Sequence, residues 1–191
     1  MLKKIRTYLK PEEIEVKPIV IQESGLLKCL LFKKSTADRD VLDETFGSLW
    51  KCGIKEVNGL LVGSISIYDE DLKEWITREG AGIKYDTSSD KEYAADCIRQ
   101  AGFQFKIGDS LFTSPEIWIE VDSKNIVKCK DNNLRCYAGL YLYAIGYDKE
   151  GKSIRCLGIK DKFNNVVYKW KHQEYNDNTT DFFFRNNSSN K

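Results

Sequence analysis

The sequence has few of the residues that several common classes of enzyme require. Its 191 residues include one histidine, His172, so we expect neither a Ser-His-Asp or Cys-His catalytic group nor a zinc site of the usual His-containing kind. No Gly-x-x-x-x-Gly-Lys-Ser/Thr loop occurs, which excludes a P-loop NTPase. The six cysteines include no Cys-x-x-Cys pair, which favours reduced thiols. We therefore expect neither a metal nor a cofactor.

The chain also lacks long apolar segments. No run reaches the roughly 18 residues that would indicate a membrane-spanning helix, and the first residues, MLKKIRTYLKPEEIEVK, have no apolar middle like that of a secretory signal. Hydrophobic residues nevertheless make up 41% of the chain, which is enough to bury a core. We expect a soluble, intracellular protein without membrane contact, and a single domain over residues 1–170.

Neither sign of charge predominates, because the net charge is only +1. The charges are unevenly distributed: residues 1–36 carry eight basic against four acidic side chains, residues 37–122 nine against eighteen, and residues 123–170 ten against four. Two basic segments form a positive groove if they fold onto one side of the molecule, and otherwise average out over its surface. Charge alone therefore leaves nucleic-acid binding open.

Three adjacent acids, Asp69, Glu70 and Asp71, offer carboxylates of the kind that a metal-dependent nuclease uses. They fall in a predicted turn, where acidic residues are common because they are solvated. We favour the solvated turn, and we expect no enzymatic activity.

Local patterns predict an α+β fold. Asn58-Gly59 separates two strand-like runs, which is typical of a β-hairpin, and EWITREGAGIKY supplies a third strand with a bulge at its glycines. A helix follows, so the predicted core is a β-β-β-α arrangement, an antiparallel meander packed on a helix. A hairpin around residues 148–151 and a strand in NNVVYKW form an additional C-terminal β-hairpin region. Residues 171–191 are predicted to be a polar, flexible tail.

Three more elements are predicted around this core. GLLKCLLFK (25–33) and SPEIWIEV read as strands, and STADRDVLDETFG reads as a short helix. Ser35 or Thr36 is the candidate N-terminal cap of that helix, and Gly47 follows its last turn.

The helix of the β-β-β-α core carries the main candidate site. Ser89 and Glu92 stand in the spacing of a capping box, and a glycine, Gly108, is the expected end of the helix. One face is apolar, and the second face includes Asp96 and Arg99. That second face is either a solvated surface with an Asp96–Arg99 ion pair, or a surface on which Arg99 binds phosphate together with basic groups from other segments.

Four stretches in order resemble one protein family: LDETFG, EVNGLLVGSISIYDEDLKEWI, AADCIRQAGFQFKIG and SLFTSPEIWI. They are similar to motifs of the phage-type single-strand annealing proteins, in the superfamily that includes Sak, Erf, RecT and the Rad-fifty-two-type recombination mediators. The similarity spans about residues 14 to 121 and extends more loosely to 170. It implies a β-β-β-α core and a homo-oligomeric ring or filament that acts in DNA recombination and DNA repair.

The resemblance also implies partners and a location. Such a protein binds single-stranded DNA and the annealed duplex intermediate by the sugar-phosphate backbone, leaves the bases free to pair, and needs no ATP. It implies a phage- or prophage-encoded protein in the cytoplasm of a bacterial host. The tail sequence DFFFR (181–185) is a candidate contact for the host single-strand-binding protein, for a neighbouring subunit or for the chain's own core.

The resemblance raises Arg99 to the first candidate for a phosphate contact. The family pattern is weakened where this chain has Thr36, Gln100 and Asp109, so we keep as an alternative an oligomeric homologue with a regulatory, sensor or decoy role in phage–host conflict. Trp75, Trp118 and Tyr68 are expected in the core or a subunit interface rather than as stacking platforms. The predicted DNA-binding residues are Arg99, Lys33, Lys34, Arg39, Lys84, Lys91 and Lys106.

Overall fold

The computed structural model describes residues 4–22, 25–84, 89–120, 126–128, 134–136 and 139–173. The chain forms two compact units, each made of two segments. Unit 1 comprises Met1–Leu9 and Lys33–Asp109, and unit 2 comprises Lys10–Phe32 and Ser110–Lys191. The prediction of one domain over residues 1–170 stays a prediction. The tail sequence DFFFR lies outside the described residues.

The fold is mixed α+β, as predicted, and strands predominate. The described residues contain two α-helices and eleven strands, with short 3-10 helices at Pro11–Glu13 and Asp109–Thr113. The helices are α1 (Ala37–Phe46) and α2 (Asp90–Gln104). The strands are β1 (Ile14–Ile21), β2 (Leu26–Lys33), β3 (Trp50–Val57), β4 (Leu60–Asp69), β5 (Glu74–Ala81), β6 (Ile117–Glu120), β7 (Ile126–Lys128), β8 (Leu134–Cys136), β9 (Tyr141–Tyr147), β10 (Ile154–Lys160) and β11 (Val166–Lys171).

Unit 1 is built on the antiparallel sheet β3-β4-β5. The turn between β3 and β4 has positive φ at both central residues, 52° at Asn58 and 80° at Gly59, which is the geometry that an Asn-Gly hairpin favours. On β4 the apolar side chains of Ile65 and Ile67 are fully buried. The predicted hairpin is therefore confirmed.

Two glycines set the distance between this sheet and α2. A Cβ atom added at Gly63 would lie 2.6 Å from the carbonyl oxygen of Cys97, and one added at Gly80 would lie 2.5 Å from the carbonyl carbon of Gln100. The prediction of a bulge at the β5 glycines was wrong, because Gly80 pairs with Gly63 in a regular ladder. The glycines are needed because the helix backbone lies directly on the strands.

Helix α2 begins where it was predicted to begin, but it ends before the predicted residue. The Ser89 side chain accepts a hydrogen bond from the Glu92 amide, and the Glu92 carboxylate accepts one from the Ser89 amide, which completes the capping box. The helix ends at Gln104 rather than at Gly108. The chain then turns through positive φ at both Lys106 (62°) and Gly108 (83°). Gly108 thus closes this turn instead of capping the helix itself.

Helix α1 matches its prediction except at its cap. Gly47 follows the last residue of the helix with a φ of 58°, and its amide bonds to the Asp43 carbonyl. Thr36 holds the N-terminal cap position, but its side chain makes no capping hydrogen bond. The helix is instead anchored by Trp50, whose indole N–H donates to the Asp43 carboxylate at 2.7 Å.

Unit 2 contains the sheets β1-β2-β6 and β11-β10-β9 and the pair β7-β8. The predicted hairpin at 148–151 is present between β9 and β10, and its turn is held by the Asp148 carboxylate, which accepts hydrogen bonds from the Glu150 and Lys152 amides. The strand predicted in NNVVYKW is β11, and it extends one residue into the predicted tail, to Lys171. Strand β1 was not predicted.

Candidate nucleic-acid interface

Lys33, one of the predicted DNA contacts, is an interior residue. Its ammonium donates to Asp38 Oδ1 at 2.7 Å, to the Ile107 carbonyl at 3.0 Å and to the Arg99 carbonyl at 3.2 Å, so all three of its N–H bonds have partners. The ammonium also lies 3.8 Å from the centre of the Phe103 ring. Its side chain is 0% exposed. We therefore correct its predicted role, because a phosphate cannot reach this ammonium.

The Lys33–Asp38 ion pair is buried at a cost to both charges. Burial lowers the pKa of Lys33 from its ordinary value, although the adjacent Asp38 carboxylate acts in the opposite direction. Burial likewise raises the pKa of Asp38, opposed by Lys33. The charge of Arg99 acts on both groups, lowering the pKa of each, which shows that its guanidinium is nearby. The pair is thus a structural centre under the end of α2.

A glycine within α2 makes room for this centre. A Cβ atom added at Gly102 would lie 2.5 Å from Cγ of Asp38, so no larger residue fits against the carboxylate. Glycine inside a helix costs about 1 kcal/mol relative to alanine. That cost is offset here because α1 contributes its Asp38 side chain directly against the α2 backbone.

Arg99, the first candidate, is near the surface but already has an acidic partner. Its guanidinium lies 2.9 Å from Asp96 Oδ1, as the ion-pair alternative predicted, and its side chain is 22% exposed. The buried Nε atom has no hydrogen-bond partner among the described residues. A guanidinium carries five N–H donors, so Arg99 retains donors for an anion while Asp96 holds one side of the group.

Three exposed basic residues are sequence neighbours of the residues that form or contact the buried pair. Lys34 follows Lys33 in the chain, Lys106 precedes Ile107, and Arg39 follows Asp38, so each is a sequence neighbour of a group that contacts or forms the buried pair. Together with Arg99 they form a set that we call the α2-end cluster. Its members are Lys34, Arg39, Arg99 and Lys106.

The excess of positive charge at the α2-end cluster is small. Asp96 holds Arg99, and Asp40 is exposed beside Arg39. The negative charge of Asp109 also acts on Lys33, where it opposes the lowering of the pKa by burial. Four basic groups against three acidic ones give weak attraction for a polyanion from one copy of the chain. Tight binding would require many copies side by side or basic groups from another segment.

Lys84 and Lys91 lie apart from this cluster. Lys91 is in the first turn of α2, and Lys84 forms an exposed ion pair of 3.1 Å with Asp90, the first residue of the helix. The fifteen residues of α2 span about 22 Å, so these two lysines are about that far from its C-terminal end. The structure thus divides the predicted site residues into one interior lysine and two surface groups.

The acidic turn has a structural use. The Asp69 carboxylate accepts hydrogen bonds from the amides of Asp71 and Leu72, and Asp69 is 4% exposed. Among the residues that the structure describes, no group of three or more His, Cys, Asp or Glu side chains is placed to hold a metal ion.

In the same part of the chain, no helix has both the length and the apolar character to cross a bilayer.

The predicted aromatic residues differ in their environments. Trp75 is 45% exposed, so it is not a core residue of the described chain, whereas Tyr68 and Trp118 are half-buried. Tyr68 and Trp75 pair across β4 and β5 with their ring centres 5.4 Å apart. The expectation of a core position is wrong for Trp75, and a subunit-interface role stays a prediction.

Comparison of the chain with protein-family models, with curated proteins and with solved structures gives no match.

Sequence reasoning missed the buried Lys33–Asp38 pair. A lysine followed by a second lysine resembles a surface segment, and nothing local shows that only Lys34 is exposed. One usable signal was Gly102, because a glycine in a well-capped helix indicates that another group approaches its backbone. The identity of that group required the tertiary structure.

Proposed function

We propose that this chain is a single-stranded DNA-binding and strand-annealing protein that acts without ATP as a homo-oligomeric ring or filament. The observation that carries the proposal is the α2-end cluster, whose exposed members Lys34, Arg39 and Lys106 are each a sequence neighbour of a group in or beside the buried Lys33–Asp38 pair, to which the Arg99 carbonyl also binds. Such a set grips the phosphate backbone without reading bases, which is what annealing requires. The function is recombination or repair of DNA in a phage- or prophage-bearing bacterium.

The order of elements in unit 1 supports the proposal. Strands β3, β4 and β5 are adjacent in one antiparallel sheet, and α2 follows them in the chain and lies on them at Gly63 and Gly80. We propose that this succession corresponds to the β-β-β-α core that the resemblance to the annealing family implies. The basic residues of β9, β10 and β11, including Arg155, Lys169 and Lys171, are a second source of positive charge.

A regulatory homologue is the second candidate. The small charge excess at the α2-end cluster and the Asp96–Arg99 ion pair favour it, because both reduce the attraction for DNA. In this case the chain would assemble and serve as a sensor or decoy in phage–host conflict, with little annealing. The two candidates share the oligomeric scaffold and differ in what the cluster does.

One experiment separates these functions from each other and from a nuclease. Labelled complementary oligonucleotides are mixed with the purified chain, with and without magnesium, and both annealing and strand length are followed over time. Annealing without a nucleotide cofactor supports the first proposal, assembly without annealing supports the second, and magnesium-dependent shortening contradicts both. Arg99→Glu reverses the charge at the cluster and is expected to abolish annealing while leaving assembly intact.

The predicted tail contact has its own test. Deletion of residues 175–191 is expected to weaken binding to the host single-strand-binding protein, or to weaken assembly, if the DFFFR sequence docks on either. Unchanged assembly together with unchanged partner binding would contradict that docking.

A further inference from the structure

The face of the sheet β3-β4-β5 opposite α2 is exposed along its two edge strands, at residues such as Lys51, Trp75 and Thr77. On its central strand Tyr68 and Ser64 are half-buried and Ser66 is buried. Cross-strand pairing places its residues in rows, because residues directly opposite each other in antiparallel strands share a face. The first row consists of Lys51, Ser66 and Thr77. The row on one side of it consists of Gly53, Ser64 and Glu79, and the row on its other side contains Tyr68 and Trp75. We call this surface the open sheet face. α2 covers the other face, where Gly63 and Gly80 meet it.

An aromatic ring and a lysine are combined at one end of the open sheet face. The Lys51 ammonium lies 4.1 Å from the centre of the Trp75 ring, and Trp75 is 45% exposed. Tyr68 lies tilted at 59° to the Trp75 ring and is half-buried, so it fixes the ring rather than covering it. A supported, half-exposed tryptophan beside a cation is suited to stack a planar group that carries negative charge next to it.

The middle of the open sheet face is polar. Ser66 and Thr77 hydrogen-bond each other at 2.8 Å, and Ser64 donates to the Gly53 carbonyl at 3.3 Å. Lys55 pairs with Glu79 at 2.6 Å, so with Lys51 the face has one positive charge in excess. A subunit interface that buried this face would cover hydroxyls and charges, whereas obligate interfaces are apolar at their centres. The surface is better matched to a polar, negatively charged ligand with flat rings.

We propose that the open sheet face binds single-stranded DNA by stacking a base on Trp75, with Lys51 contacting the adjacent phosphate. The inference rests on the proposed function and adds a second binding surface to it, on the side of the sheet away from α2. Stacking uses the flat face of a base and leaves its pairing edges unread, so it is compatible with annealing. Lys51 of β3 and the Trp75 ring of β5 then bind different parts of the same nucleotide.

The test compares two ligands of the same length, an oligothymidylate of roughly 20 nucleotides and an abasic strand with the same phosphates. Trp75→Leu is expected to weaken binding of the oligothymidylate about tenfold and to leave the abasic strand unchanged, because only the first has bases to stack. Trp75→Phe keeps an aromatic ring, so it is expected to retain most of the affinity for the oligothymidylate that Trp75→Leu loses. Lys51→Gln is expected to weaken binding of both ligands, since it removes a phosphate contact.

Tryptophan fluorescence gives a second readout with a matched control. Trp118 of unit 2 also has a lysine near its ring, with Lys28 at 5.3 Å, but Lys28 is paired with Glu116 at 2.6 Å. Quenching by oligothymidylate is expected in the wild type and in Trp118→Phe, and is expected to be reduced in Trp75→Phe. Since Trp75 is half-exposed, circular dichroism is expected to show that its variants fold.

The outcomes distinguish this inference from the function on which it rests. If the wild type binds neither ligand, the proposed function fails and the stacking site fails with it. If the wild type binds both ligands and Trp75→Leu weakens both equally or neither, only the stacking site is contradicted. If Trp75→Leu changes the subunit number measured by light scattering and leaves DNA affinity unchanged, the face is a contact between copies of the chain and the inference is overturned.

Discussion

Lys33 Nζ and Asp38 Oδ1 are 2.7 Å apart in the interior of unit 1, and this pair holds the end of the helix that carries Arg99. The same ammonium binds the carbonyls of Arg99 and Ile107, so within unit 1 it joins α1 to the C-terminal end of α2. A cation at the C-terminal end of a helix is also favoured by the helix dipole. The relationship between Lys33 and Asp38 therefore sets the shape of the α2-end cluster, although neither residue is on the surface.

Replacing Lys33 with methionine is expected to lower the free energy of unfolding by about 3–5 kcal/mol, because the Asp38 carboxylate is left buried without its partner. The double change Lys33→Met with Asp38→Asn is expected to recover part of the loss, since a neutral amide costs less to bury than a carboxylate. Urea unfolding of the two variants and the wild type measures both effects. A double variant no more stable than Lys33→Met would show that the unpaired charge is not the cause.

The buried pair is expected to give stability a specific dependence on pH. Burial holds the pKa of Lys33 below 10.5, so between that lowered value and 10.5 the folded chain binds fewer protons than the unfolded chain, and the free energy of unfolding rises with pH. Burial raises the pKa of Asp38 above 3.8, so between 3.8 and the raised value the folded chain binds more protons and stability falls with rising pH.

The measurement for this prediction is the difference in unfolding free energy between the wild type and the Lys33→Met, Asp38→Asn double variant across both pH intervals. Subtraction removes the contributions of groups that the substitutions leave in place, including Tyr143 and Tyr168, whose pKa values are raised by burial. A difference that does not change with pH would contradict the assignment.

Gly63→Ala is expected to destabilise unit 1 by about 3 kcal/mol, because the added methyl would meet the backbone of α2, which cannot rotate away. Gly53→Ala on the neighbouring strand is the matched control, since its methyl would lie 3.4 Å from Ser64 Oγ, an ordinary contact. Thermal unfolding followed by circular dichroism compares the two variants. Equal midpoints would mean that α2 does not lie on the sheet at Gly63.

Asp96→Asn is expected to strengthen binding of single-stranded DNA several-fold at low salt, because it releases Arg99 from its 2.9 Å ion pair and removes a negative charge. Its amide oxygen can still accept the hydrogen bond from the Ile83 amide that the carboxylate accepts at 3.1 Å. Anisotropy titrations over a range of salt concentrations measure the affinity and its salt dependence.

Arg99→Gln is expected to have the opposite effect, with weaker binding and a salt slope smaller by about 0.7, the contribution of one phosphate contact on a single strand. Lys73→Gln is the control, since Lys73 is an exposed lysine in the turn between β4 and β5 and is not a member of the α2-end cluster. Equal slopes for Arg99→Gln and Lys73→Gln would remove Arg99 from the interface.

Local sequence determined the elements that need only neighbouring residues. The Asn58-Gly59 turn and the Ser89–Glu92 capping box both follow from preferences within a few residues, and each was predicted. The Asp96–Arg99 ion pair also follows from the spacing of three along a helix.

Tertiary structure alone decided which charges are available to a ligand. Lys33 and Lys34 are adjacent and identical in the sequence, yet one is buried by contacts with residues 66 and 74 positions away and the other is exposed. The regular pairing of Gly80 and the exposure of Trp75 depend in the same way on where α2 lies on the sheet. Burial is a property of distant segments brought together by packing, so no local pattern encodes it.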